Sequence, residues 1–165
     1  MFARLLSGQC PVSTSLCVVK KECFNKAGGF DELLSSFQDY DMWLRITQCG
    51  YEFKYIDKPL ITKYEGHGDQ ISVNPERRYK GLCRIREKWM DALTPEQQGV
   101  FKVTLKGFED KIKKNRIIYN KNRGVKCNYF ALYRDYLKTD DTPRSKLKVF
   151  MYVLFGKNVL KFRKH

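Results

Sequence analysis

Four carboxylates crowd the stretch 28–46, "GGFDELLSSFQDYDMWLRI": Asp31, Glu32, Asp39 and Asp41. Opening a helix takes one capping residue and at most one acid in the first turn, so this is more carboxylate than backbone punctuation needs. A carboxylate beside a glycine turn can take a proton from a hydroxyl, and two that converge can clasp a divalent cation. Asp39 and Asp41 stand two residues apart. On a helix, at roughly 100° per residue, their side chains point about 200° from each other around the axis and cannot readily share one ion. The structural alternative has Asp39 capping the helix and Asp41 complementing its positive end. For Asp39, capping and proton acceptance are both open.

The elements that must position these acids follow from the pattern around them. "STSLCVV" (13–19), rich in β-branched and small residues, predicts a buried strand. "KKECFNKAGG" predicts a short helix closed by Gly28, and "FDELLSS" a turn. In "QDYDMWLRITQCG" (38–50), acids in the first turn, apolar Met42, Trp43 and Ile46 at helical spacing and a closing glycine predict a helix. "YEFKYI" and "LITKYE", joined by "DKP", read as two short strands, with the polar loop "GHGDQISVNP" after them. From Glu76 the pattern turns to long helices. One covers "ERRYKGLCRIREKWMDAL"; a second is opened by Thr94-Pro95 and runs to about Gly124; two more lie at 128–138 and from Pro143 onward.

Taken in order, "STSLCVVKKECFNKAGGFDE", "QDYDMWLR", "YEFKYIDKPL" and a loop with His67 ahead of Ser72 resemble the C-terminal, acceptor-side half of the catalytic domain of family 2 glycosyltransferases, the inverting GT-A kind. The resemblance covers residues 13 to 72. It implies an α+β fold: a partial GT-A arrangement of few short strands with helices over 1–75, followed by a basic helical extension over 76–165. It implies transfer of a sugar from a nucleotide-sugar donor to a hydroxyl of a glycan or lipid-linked acceptor, with inversion, in cell-surface polysaccharide synthesis. Asp39 matches the general base. Gly28 and Gly29 match a turn whose bare backbone lets sugar approach. Asp41 and Trp43, in the same helix motif, fall with the substrate-binding positions. His67 matches a loop histidine near the donor diphosphate or its metal, a divalent cation (Mn or Mg) being expected for the complete enzyme.

Three departures accompany the match. Gln38 stands where Glu is more usual, and Glu65 where many relatives carry Arg. The family's nucleotide-binding half normally precedes the strand at Ser13, before which this chain has twelve residues, with no Gly-rich phosphate loop or second acid pair elsewhere. The expectation is therefore of a transferase fragment, inactive by itself.

Composition points to an ordered chain with two unlike halves. Of 165 residues, 42% are hydrophobic and 14% aromatic, enough for a packed core. Residues 1–75 hold 8 Lys/Arg against 9 Asp/Glu and residues 76–165 hold 24 against 9, so the net +14 sits in the second half. Six cysteines without a CxxC pair predict reduced thiols rather than a zinc site. No stretch reaches the roughly 18 to 20 apolar residues of a bilayer span, so a cytoplasmic location is expected, including the inner face of the cell membrane.

Residues 143–165, "PRSKLKVFMYVLFGKNVLKFRKH", place seven Lys/Arg and no acid around the apolar run Val149–Phe155. A helix of this mixture suits an anionic membrane surface, and equally a core-packing helix with a solvated basic edge. The alternative to the transferase reading is a non-enzymatic basic helical protein that binds anionic membrane or nucleic acid. The nucleic-acid branch is the weaker, because the charges scatter around the helices and no reading motif accompanies them.

Overall fold

Helix starts are written into this chain wherever Asn or Thr precedes Pro. The Asn74 side chain accepts from the amides of Glu76 and Arg77 at 3.0 and 3.1 Å and opens α4 (Pro75–Met90). Thr94 and Gln97 form a reciprocal capping box at the start of α5 (Pro95–Asn122), and Thr142 accepts from the Ser145 amide at 3.2 Å to open α7 (Pro143–Phe155). Proline at the first helical position surrenders an N–H that had no partner, and each cap is worth about 1 kcal/mol. Asn128 does the same for α6 (Tyr129–Leu137) without a proline. Before these lie α1 (Phe2–Leu6), α2 (Lys21–Ala27) and α3 (Gln38–Gln48).

The computed structural model describes residues 1–9, 12–62 and 74–156. Among them there are seven α-helices, one 3-10 turn and no strand, so the fold is all-α and the α+β, partial GT-A expectation is corrected. Residues 14–16 form the 3-10 turn inside the run read as a buried strand. Leu16 and Val18 face solvent there while Cys17 and Val19 pack inward. The run 51–62 has no ladder partner among the described residues; Tyr51 and Phe53 pack on the core and Tyr55, Ile56, Leu60 and Ile61 are exposed. Both runs have strand-like composition without a sheet to join, because a strand is stabilised by a neighbour's hydrogen bonds and not by its own. The rest of the predicted hairpin, 63–65, and the loop holding Glu65 and His67 lie outside the described residues.

α5 is the spine. At 1.5 Å per residue its 28 residues run about 42 Å, and it touches α1, α4, α6 and α7. Its first part carries Phe101, Leu105 and Ile112 into a core with Leu5 and Leu6 of α1, Met42, Trp43, Leu44 and Ile46 of α3, and Leu82, Ile85 and Trp89 of α4. Its last part gives Ile117 to a second, smaller cluster with Tyr136, Val149 and Val153. The first core draws on both sides of residue 75, so the stretch 28–46 is held against the basic helices rather than apart from them. Among the described residues no helix is long and apolar enough to cross a membrane.

Candidate functional site

The glycine turn and the start of α3 are tied together by one arginine. Gly28 closes α2 in the left-handed region at φ +83° and Gly29 follows at +73°, both amides returning to the Phe24 carbonyl at 2.9 and 3.1 Å. Glycine is needed at such angles because a Cβ would crowd the backbone. Arg45, one turn along α3 from Asp41, donates to the Ala27 carbonyl and to the Gly29 carbonyl, the latter at 2.6 Å, and its Nε donates to Asp41 Oδ2 at 2.9 Å. The guanidinium therefore fixes the turn's position relative to the helix.

Asp41 is fully buried. Besides Arg45 it accepts from Lys88 Nζ at 2.9 Å and from Trp89 Nε1 at 2.9 Å, both on α4. Lys88 also reaches Asp31 Oδ2 at 3.0 Å, and Arg84 approaches the same carboxylate at 3.3 Å. Burial alone would raise the Asp31 carboxyl; the Lys88 ammonium, the Leu33 amide and Arg84 outweigh it and hold it below its ordinary value. Asp31, Asp41, Arg45, Arg84 and Lys88 thus make one network joining the turn, α3 and α4.

Asp39 stands apart from that network. α3 begins with Phe37 as its cap residue, without a side-chain cap bond, so Asp39 is the second helical residue and not the N-cap. Its Oδ1 accepts from the Tyr40 amide at 2.8 Å, one of the helix-end N–H groups that lack an intrahelical partner. It is half-buried, and among the described residues it forms no ion pair. Glu32 is exposed on the turn. Of the two acids at the helix start, one has both oxygens spent on N–H donors and the other keeps an oxygen that can accept a proton.

Phe37 enters the helix with φ +67°, a conformation that costs a side-chain-bearing residue roughly 1–2 kcal/mol. Packing holds it there: its ring lies 5.4 Å from Phe108 of α5, and the Arg78 guanidinium sits 5.4 Å from the ring centroid. Tyr40 stacks edge-on against Phe108 at 5.7 Å and donates to the Leu5 carbonyl. Beneath the turn, Gly81 of α4 lets the chain come so close that a Cβ there would lie 2.6 Å from the Ser36 carbonyl oxygen. Ser35 adds a bond to the Arg77 carbonyl at 2.9 Å.

The other expected site residues scatter. Trp43 is 1% exposed, meets Phe53 edge-on at 5.5 Å and donates to the Val12 carbonyl at 3.0 Å, so its ring faces protein. Gly28 and Gly29 lie on the same turn, next to Arg45. His67 lies outside the described residues. A divalent cation does not fit the acids brought together here, because Asp41's oxygens already face three N–H donors, two of them cationic, and no group of three His, Cys, Asp or Glu converges among the described residues.

Lys88, Trp89, Arg84 and Arg45 are the partners that sequence reasoning missed. Their signal was faint: Arg84 and Lys88 are one turn apart on a helix with Trp89 beside them, a pattern most surface helices could show. A cleft of about 350 Å³ lies elsewhere, among α4, α5 and α6. Its charges are mutually paired: Arg116 with Glu76 at 2.9 Å, and Lys113 with Glu109 at 3.2 Å and with Asp135 at 3.9 Å. Tyr79 and Leu132 supply its less polar walls. No residue of 28–46 lines it. No known protein family, curated protein or solved structure matches the chain.

Proposed function

We propose that residues 28–46 form the acceptor-side element of an inverting glycosyl transfer, with Asp39 as the general base. The acceptor hydroxyl would give its proton to Asp39 as its oxygen attacks the anomeric carbon. The bond from that carbon to the nucleotide diphosphate breaks in the same step, and the configuration inverts. The donor class is a nucleotide sugar and the acceptor class a glycan or lipid-linked hydroxyl, with the reaction on the cytoplasmic side. The observation that carries this reading is the division of labour at the start of α3. Asp41 is saturated by Arg45, Lys88 and Trp89, whereas Asp39, two residues earlier, is half-buried and unneutralised by any described cation. A base needs such an open lone pair, held in place but not ion-paired. The resemblance of "GGFDE" and "QDYDMWLR" to family 2 transferases supports the same assignment.

The test is genetic and biochemical, and it is run in the host because the acceptor-side element works only where a nucleotide-binding half is present. The gene is deleted in its own host and restored as wild type, Asp39→Asn or Glu32→Gln, with protein levels checked by immunoblot. Surface glycans are profiled, and extracts are assayed for sugar transfer from labelled UDP- and GDP-sugars. Wild type and Glu32→Gln should restore a glycan lost on deletion. Asp39→Asn should accumulate normally and lose at least about a hundredfold in transfer rate, within the range for removal of a general base. An unchanged glycan profile on deletion, or full restoration by Asp39→Asn, overturns the reading.

A further inference from the structure

We propose that the outer faces of α6 and α7 form a docking surface for an anionic lipid bilayer. This inference does not depend on the glycosyl-transfer reading.

The apolar run Val149–Phe155 is longer than the core can use. Val149 and Val153 turn inward to join Ile117 and Tyr136, and Tyr152 is buried with its hydroxyl donating to Asn122. Leu154 and Phe155 remain 44% and 56% exposed, and Leu147, one turn before Met151, is 61% exposed. The helix is therefore apolar on two faces, and only one of them is spent on the fold.

The outward face continues onto α6. Tyr133 of α6 and Phe150 of α7 meet with ring centroids 5.3 Å apart. Phe130 and Leu137 stand three before and four after Tyr133, and Leu147 and Leu154 stand three before and four after Phe150, so on each helix the pair shares a side with the contacting ring. All four are exposed, Phe130 at 61% and Leu137 at 43%. They flank the Tyr133–Phe150 contact, one of several between the two helices.

Cations border this apolar patch. Arg134 on α6 and Lys138 at its C-terminal cap are exposed, as are Arg144 and Lys148 on α7. The acids of the same region are already engaged: Asp135 with Lys113, Asp140 with Lys106, and Asp141 with Lys114. Apolar side chains bordered by cations that form no ion pair among the described residues complement the two layers of an anionic bilayer surface, the acyl boundary taking Leu and Phe and the headgroup phosphates taking Arg and Lys. A nucleic acid would pair with the cations and could stack on Phe130 or Phe155, but would leave Leu137, Leu147 and Leu154 in water.

The experiment is co-sedimentation of the full chain with phosphatidylserine/phosphatidylcholine vesicles and with phosphatidylcholine vesicles alone, at several salt concentrations. Leu147→Ser/Leu154→Ser and Arg144→Gln/Lys148→Gln are run beside wild type, and circular-dichroism melts establish that both variants fold. Wild type should partition onto the anionic vesicles at least about tenfold better than onto the neutral ones. The leucine variant should lose about tenfold or more at any salt concentration, and the cation variant should lose affinity together with part of its salt dependence. Absence of wild-type binding, equal binding to both vesicles, or undiminished binding by the leucine variant overturns the proposal. So does tight binding to an oligonucleotide, unaffected by the leucine changes, without binding to vesicles.

Discussion

The Asp41 carboxylate and the Lys88 ammonium, 47 residues apart in the chain, meet at 2.9 Å beneath the start of α3. The acid is wholly buried, and the lysine divides its protons between it and Asp31. Two charges taken out of water are retained only when further hydrogen bonds satisfy them, which Arg45 and Trp89 do for Asp41. Breaking such an arrangement costs more than the arrangement is worth, because the orphaned partner stays behind.

Asp41→Asn should therefore destabilise the fold by about 3 kcal/mol. That is the low end for one-sided removal of a buried ion pair, because Lys88 keeps Asp31 and part of its hydration. Asp39→Asn should change stability by no more than about 0.5 kcal/mol, since the amide oxygen can still accept from the Tyr40 amide. Urea unfolding of the two variants checks the contrast. Equal losses would mean that Asp39, too, is structural.

Gly81→Ala should destabilise in spite of the gain in helix propensity of about 1 kcal/mol that alanine brings to a helix interior. The added Cβ would lie 2.6 Å from the Ser36 carbonyl oxygen, a backbone atom that cannot rotate away. Relief requires the 34–37 segment to lift from α4, carrying Phe37 off Phe108. The expected loss is about 1–3 kcal/mol, as for overpacking in a well-filled core. Thermal melts and the near-ultraviolet circular dichroism of the aromatic cluster read it. A more stable variant would refute the close approach.

A second charge arrangement sets the pH range of the C-terminal helices. Burial and the adjoining Asp141 carboxylate push the Tyr136 phenol up to about 12, and the phenol's hydrogen bond, with help from Ser145 and Lys114, holds Asp141 far below its ordinary value against the opposing effect of burial. A raised phenol contributes stability that is complete below its unfolded value, near 10, and is lost as pH rises through about 12. A depressed carboxyl contributes stability that is present above its unfolded value, 3.8, and is lost as pH falls toward its folded one. Tyr136→Phe should flatten both limbs of a stability-versus-pH curve in part, since burial also raises the Tyr40 and Tyr152 phenols and Asp31 stays depressed. Denaturant midpoints from pH 2.5 to 11 would show it, and a curve shaped like the wild type's would reject the assignment.

The helices were legible in the sequence because their bonds close locally. Thr94-Pro95 and Thr142-Pro143 open α5 and α7 where predicted, Gly28 ends α2, and the acids ahead of Met42 and Trp43 mark α3. A cap, an i to i+4 ladder and an apolar stripe lie within a few residues of one another, so each can be read without knowing the fold. α1 escaped notice. Five residues carry little periodicity, and Leu5 and Leu6 are helical and buried because α3 and α5 receive them.

What tertiary structure alone decided concerns partners far away in the chain. "STSLCVV" and "YEFKYIDKPLIT" have the composition of strands, but a ladder needs a second backbone, and none of the described residues supplies one. The same distance separates the two acids of α3. Nothing in "QDYDMW" shows which of the two acids is buried and ion-paired; that appears once α4 brings Lys88 and Trp89 to Asp41 and leaves Asp39 half-exposed. Composition alone established the charge contrast between the two halves and the surplus of apolar residues in α7. Which of those apolar residues are core and which face outward was fixed only when Tyr133 met Phe150, because a helix has no inside until another surface covers one of its faces.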